Sequence, residues 1–344
     1  MVNKVCAMGK NEAKRHHYIP QFILRNFTDE NGQLEYLDIK EKKLDKRNPR
    51  SVFMNLHMYR DEKNHKENPV QIESSLSVFE SEVAELINQK MLTGNEIVLT
   101  RAELDTFRIF LSLLSFRSDL RMNQYKDKKF DPATLAILKN YEKDENFENL
   151  WKMEIEGLSK CRTYQQIKES NVIDPIIKTD FLNDLQGMYM TFVDARGGEF
   201  LISDVYPTLE IFPVRPGVNI HMHCLYPLSS TRLLLLNHIM FKQDTNDHRL
   251  ERMKSFSQIK GSMIAVPKNE YANRFLQDGK DKFIYKVKKI YASDLEYING
   301  LILNEARVGI AFKSGDRIRN SIEAYNLCEG RKKDYTFLVK EFNN

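Results

Sequence analysis

The stretch "DLQGMYMTFVDARGGEFLISDVYPTLEIFPV", Asp184–Val214, marks a change in the character of the chain. Within it, apolar residues come in short blocks rich in aromatic and β-branched side chains, broken at Gly197-Gly198. That pattern predicts a strand, a Gly-Gly hairpin turn and a second strand. "IHMHCLYPLSSTRLLLLNH", residues 220–238, continues it with two more strands. Upstream the spacing is helical. Early helices and late strands together predict an α+β fold, with helices packed against a mainly antiparallel sheet.

Working back from that change, "RAELDTFRIFLSLLSFRSDLRMNQY", Arg101–Tyr125, is apolar almost all round in its middle. It reads as one buried central helix, capped by Thr100 with Glu103 three residues on. Before it, "VQIESSLSVFESEVAELINQKML" lines up Ile72, Leu76, Phe79, Val83, Leu86 and Ile87 on one helical face. The expected start is near Asn68, with Pro69 at the first helical position. "NGQLEYLDIKEKKLDKRN", residues 31–48, predicts an N-terminal β-meander with turns at Asn31-Gly32 and in Lys40–Lys43. Residues 126–180, with Trp151, form a polar helical middle read as an insertion or lid. Residues 1–13 are expected to be disordered, and 14–344 to form a single α+β domain. Near the end, "ASDLEYINGLILNEARVGIAFKS" predicts a helix capped by Ser293 with Glu296 three residues on.

The composition narrows the class of protein. The 344 residues are 42% hydrophobic and 29% charged, with a net charge of +4, which is ordinary for a globular chain. So small a charge does not by itself announce a nucleic-acid binder. Cys6, Cys161, Cys224 and Cys328 lie far apart, without a CxxC pair. Reduced thiols in a cytoplasmic protein are therefore expected. The opening "MVNKVCAMGKNEAKRHH" lacks the apolar core of a signal peptide, and the apolar runs are too short to span a bilayer. Motifs for phosphate loops, dinucleotide folds, hydrolase elbows and zincins are absent.

The polar residues of interest sit in apolar surroundings. "KRHHYIPQFILRNF", Lys14–Phe27, sets His16 and His17 before Pro20. On a strand the two histidines face opposite sides, so a surface His16 and a buried His17 are expected. A short helix after Pro20 puts Gln21 and Arg25 on one face, and His17, an amide and a guanidinium suit an anion such as phosphate. Arg117 interrupts the most apolar helix and needs either a partner, for which Asp204 and Glu73 are candidates, or an anionic ligand. Ser203 and Asp204 end a strand before Pro207, a place for a general base, a metal ligand or a turn. His221 and His223 share a strand face but lack a third metal ligand. His17, Asn55 and His65 have the rough spacing of a ββα-metal nuclease, with His65 ahead of the helix that should carry it.

These motifs resemble the bacterial family called domain of unknown function 4238. The likeness rests on "HHYIPQFILRNF" and on Glu73 in "QIESSLSVFESEVAELI". It continues with Arg117 in "FLSLLSFRSDL", Ser203 and Asp204 in "FLISDVYP", Pro227-Leu228 in "YPLSSTRLLLL", and the helix "YINGLILNEA". Two departures stand out: Asp119-Leu120 where the family has a proline, and Val205-Tyr206-Pro207 where it has asparagine-proline. The resemblance implies a bacterial protein, often of mobile elements, with some members linked to defence against phage. With His, Arg and carboxylates, it leads to the expectation of a cytoplasmic phage-defence nuclease acting on RNA or DNA phosphodiesters. His17 would move the proton, and Arg117 would hold phosphate with Arg25 or Gln21. Glu73 and Asp204 would orient the histidine or bind magnesium or manganese, with His16 and Ser203 as further substrate contacts. Its partners would be a nucleic acid or a phage component, not a membrane. The rival expectation is a non-enzymatic sensor or binding module in which the same polar set is structural.

Overall fold

The computed structural model describes residues 15–141, 147–171, 188–215, 218–238 and 282–342. The segment 1–13 expected to be disordered lies outside these residues, as do parts of the expected insertion 126–180. The architecture is α+β, with mostly antiparallel sheets.

The chain opens with β1 (Arg15–His17) and α1 (Gln21–Arg25). The predicted meander follows as β2 (Leu34–Asp38) and β3 (Lys43–Arg47), paired antiparallel from Leu34↔Arg47 to Asp38↔Lys43. Its tight turn places Lys42 at φ 51°. A 3₁₀ turn, Pro49–Ser51, leads to β4 (Met54–Leu56), which pairs back on β1 with His16 opposite Asn55.

The helix α2 (Gln71–Leu86) buries Ile72, Leu76, Phe79 and Val83, as the spacing predicts. It starts two residues after Pro69, and a π turn, Ile87–Met91, extends it. β5 (Glu96–Thr100) ends in the predicted capping box, with the Thr100 hydroxyl accepting from Glu103 N at 3.3 Å and the Glu103 carboxylate accepting from Thr100 N at 2.9 Å. The expected helix 101–125 is two helices, α3 (Arg101–Phe116) and α4 (Asp119–Lys126). The cause of the break is Ser118: its backbone is extended and its hydroxyl accepts from Arg121 N, which starts a new helix. Arg117 thereby becomes the C-cap of α3 instead of an interior helical residue.

α5 (Pro132–Tyr141), α6 (Phe147–Lys160) and α7 (Tyr164–Glu169) come next. α6 packs on α2, α3 and α4. Its Trp151 is fully buried and donates its indole N–H to the Phe116 carbonyl at 3.1 Å.

The late strands are β6 (Met188–Ala195), β7 (Ile202–Ser203), β8 (Thr208–Arg215), β9 (Val218–Pro227) and β10 (Arg232–His238). β11 (Lys282–Lys286) and β12 (Lys288–Ile290) follow the undescribed stretch, then α8 (Ala292–Glu305), β13 (Gly309–Phe312), α9 (Gly315–Leu327) and α10 (Thr336–Glu341). α8 begins at Ala292 after Tyr291, so Ser293 lies inside its first turn and does not cap it.

One sheet runs β12-β6-β10-β9-β8, and a second runs β3-β2-β13-β7. Gly197-Gly198 is therefore not a hairpin: β6 pairs with β10 and β12, while β7 pairs with β13. The glycines carry the chain from one sheet to the other through a tight crossing. Gly197 sits at φ +80°, and a Cβ on Gly198 would lie 2.6 Å from Leu295 Cδ2.

The run "LLLL" is apolar without alternation because both faces of β10 are covered. Leu234 and Leu236 join a large core with α2, α3 and α6, whereas Leu233 and Leu235 join a second core with α8 and α9. No described helix is long and apolar enough to cross a membrane.

Candidate functional site

The N-terminal motif, α2 and the end of α3 meet around Arg117, whose side chain is only 1% exposed. Its Nε donates to the Tyr59 hydroxyl at 3.2 Å, and that hydroxyl donates to the Arg117 carbonyl at 3.1 Å. One terminal nitrogen pairs with the Glu80 carboxylate and the other donates to the His17 carbonyl. The guanidinium also lies over the Tyr59 ring, 5.4 Å from its centre. Burial pulls its pKa down, but Tyr59, Glu80 and Glu73 outweigh burial and raise it, so the group stays charged. Burial likewise lifts the Tyr59 phenol to about 12.

Glu80 is the direct partner, in place of the expected Asp204 or Glu73. It sits seven residues beyond Glu73 on α2, two turns along the same face. That spacing was the available signal for it. Tyr59 lies in an irregular stretch and carried none. Glu73 remains close enough for Arg117 to act on its charge, yet its Oε2 is buried without a hydrogen bond. Burial, opposed by Arg117, raises the Glu73 pKa to about 7.

The two histidines face apart, as strand geometry requires, but both are buried. The expected surface position of His16 is corrected. It is 0% exposed, stacks on Tyr59 at 5.5 Å between ring centres and accepts from Tyr59 N at 2.7 Å through Nδ1. His17 is 6% exposed, and its Nδ1 lies 3.3 Å from the Gln21 amide nitrogen. Accepting there puts its ring proton on Nε2, which has no hydrogen bond. Burial lowers the His17 pKa to about 4, against the raising influence of the Pro49 and Arg50 backbone and with the lowering influence of Arg117. The imidazole is therefore neutral at physiological pH and a weak proton acceptor.

Asp204 makes its hydrogen bonds away from this cluster. Its Oδ1 accepts from the backbone N–H of Arg307, Val308 and Gly309 at 2.9, 2.9 and 3.1 Å. Ser203 accepts from Val205 N and donates to Val205 O, a local turn. The pair thus ties β7 to the start of β13. Arg25 is exposed on α1.

The three-residue nuclease arrangement does not assemble, because Asn55 donates to Asp119 and His65 lies 2.6 Å from Glu156. Among the described residues no group of three or more His, Cys, Asp or Glu side chains could hold a metal ion. His223 is buried, 3.7 Å from the Glu210 carboxylate, while the His221 side chain lies outside the described residues. A recess of about 740 Å³ opens elsewhere, between His57–Lys63 and the start of α6.

The fold and cluster define an α+β protein whose N-terminal motif is locked to its central helices by a buried arginine. The chain belongs to the family described as protein of unknown function (DUF4238), whose model matches residues 15–316. No curated protein and no solved structure matches it.

Proposed function

We propose that this chain is a bacterial phage-defence protein of the cytoplasm, acting as a non-enzymatic sensor or binding module. One observation carries this reading: every arm of Arg117 is taken by the chain itself, through Tyr59, Glu80 and the His17 carbonyl. With all three nitrogens engaged and the side chain only 1% exposed, the guanidinium is not free to turn toward a phosphodiester. Asp204, bound to three successive amides, likewise has a complete structural task. The polar set is then a frame that fixes how the N-terminal motif sits on α2 and α3.

A second reading keeps a nuclease. It is favoured by the buried, unbonded His17 Nε2 and Glu73 Oε2, and by a Glu73 pKa near 7, which suits a general acid. Purified protein incubated with RNA and DNA, with and without magnesium or manganese, separates the two. The binding-module reading expects no cleavage, and expects His17→Ala to lower the unfolding temperature and phage protection together. Cleavage that disappears in a His17→Ala protein of unchanged stability would establish the nuclease instead.

A further inference from the structure

We infer that Arg15, Arg25 and Arg50, with the amide of Gln21, form a binding surface for phosphate groups over His17. This rests on the binding-module reading and names the chemistry of its ligand: the phosphates of a nucleotide or of a nucleic-acid strand.

Three elements bring the residues together. β1 carries Arg15 and His17, α1 carries Gln21 and Arg25, and the Pro49–Ser51 turn carries Arg50. α1 packs against that turn. The His17 ring feels the backbone of Pro49 and Arg50 and the charge of Arg15. Gln21 touches His17, and Arg25 follows it one helical turn on, along the same face.

All three arginines are exposed, and among the described residues none has an ion pair or a side-chain hydrogen bond. The contrast with other arginines of the chain is plain. Arg47 is held by Asp45, Arg162 by Glu82, Arg232 by Asp194 and Arg117 by Glu80. Grouped cations without carboxylates create a positive field that an anion relieves.

The layer beneath points the same way. Gln21 directs one amide N–H to His17 Nδ1 and has a second to offer. The His17 ring lies beneath, its Nε2–H buried against the backbone of Pro49 and Arg50. The charged side chains of the group are all cations, and guanidinium groups only donate, which suits an anion and opposes a metal ion. Guanidinium forks match phosphate oxygens in geometry as well as charge.

The test is titration calorimetry of the full chain with pyrophosphate, ATP and a single-stranded oligodeoxynucleotide. Wild type is expected to bind pyrophosphate. Arg25→Gln and Arg50→Gln, both exposed and so able to fold, should each weaken binding by about tenfold. Lys282→Gln and Lys289→Gln, which remove exposed cations from β11 and β12, should leave it unchanged. Tighter binding of the oligonucleotide than of ATP assigns the phosphate to a strand, and the reverse order assigns it to a nucleotide. Absence of binding to all three probes, or equal weakening by the lysine substitutions, overturns the site and leaves the binding-module reading standing. Cleavage of the oligonucleotide during the titration would instead remove the non-enzymatic reading and keep the phosphate site.

Discussion

Arg117 and Asp204 look alike as sequence, each a charged residue set among apolar neighbours, yet the fold satisfies them in opposite ways. Arg117 is met mostly by side chains from other elements, Tyr59 and Glu80, with one carbonyl from His17. Asp204 is met by the backbone, through three consecutive N–H groups before β13. A network of side chains depends on the identity of every member. A backbone nest asks only for an acceptor in the right place. The difference teaches which of the two sites should tolerate change.

The strongest way to test this is Arg117→Ala. It would leave Glu80 and the His17 carbonyl without their partner in a buried setting, with an expected loss of about 3–5 kcal/mol. Chemical denaturation measures it. Arg117→Lys should recover less than half, because one ammonium cannot reach Tyr59, Glu80 and His17 in their three directions. A lysine variant as stable as wild type would mean that charge alone, not the planar fork, holds the region.

Asp204→Ala should cost less, about 2 kcal/mol, since the freed amides are near solvent and the loss is of hydrogen bonds. Asp204→Asn keeps an acceptor oxygen and should lose no more than about 1 kcal/mol. If both substitutions cost as much as Arg117→Ala, the contrast between the two sites fails.

What was legible in the chain follows the same divide between local and distant. The Thr100–Glu103 capping box and the apolar face of α2 depend on neighbours within a few residues, and their patterns show. Ser118 was hidden because it lies at the end of an apolar run that reads as continuous helix, although Ser-Asp is a helix start. Gly197-Gly198 carries the composition of a hairpin, but its demand is set by Leu295, far along the chain. The match of Arg117 to Glu80 was only half legible: spacing puts Glu80 on the same face of α2 as Glu73, but only packing of α2 on α3 chooses between the two carboxylates. His16 was placed on the surface because nothing local reveals the Tyr59 ring that covers it.

The smallest expected effect belongs to Glu73, and its pH dependence sharpens the comparison from the Arg117 side. Its pKa is raised from 4.5 to about 7, so the folded state holds the proton more tightly than the unfolded chain. That contribution is complete below pH 4.5 and is lost as pH rises through 7. His17 works in the other direction. Its pKa is lowered from 6.5 to about 4, so its contribution is complete above pH 6.5 and is lost as pH falls toward 4. Between these limits the two groups oppose each other and flatten the stability profile. Glu73→Gln keeps the shape of the neutral acid and removes one side of that balance. At pH 5 it should change stability little, and at pH 8 it should stabilise the protein, with the gain growing as pH rises toward 7. The rise in stability between pH 4 and 6.5 should steepen in the variant, because His17 then acts without its counterweight. Denaturant midpoints measured across pH 4–8 test this. A variant less stable than wild type at pH 8 would mean that Glu73 is ionised and paired with Arg117, which would make Arg117 the centre of two ion pairs instead of one.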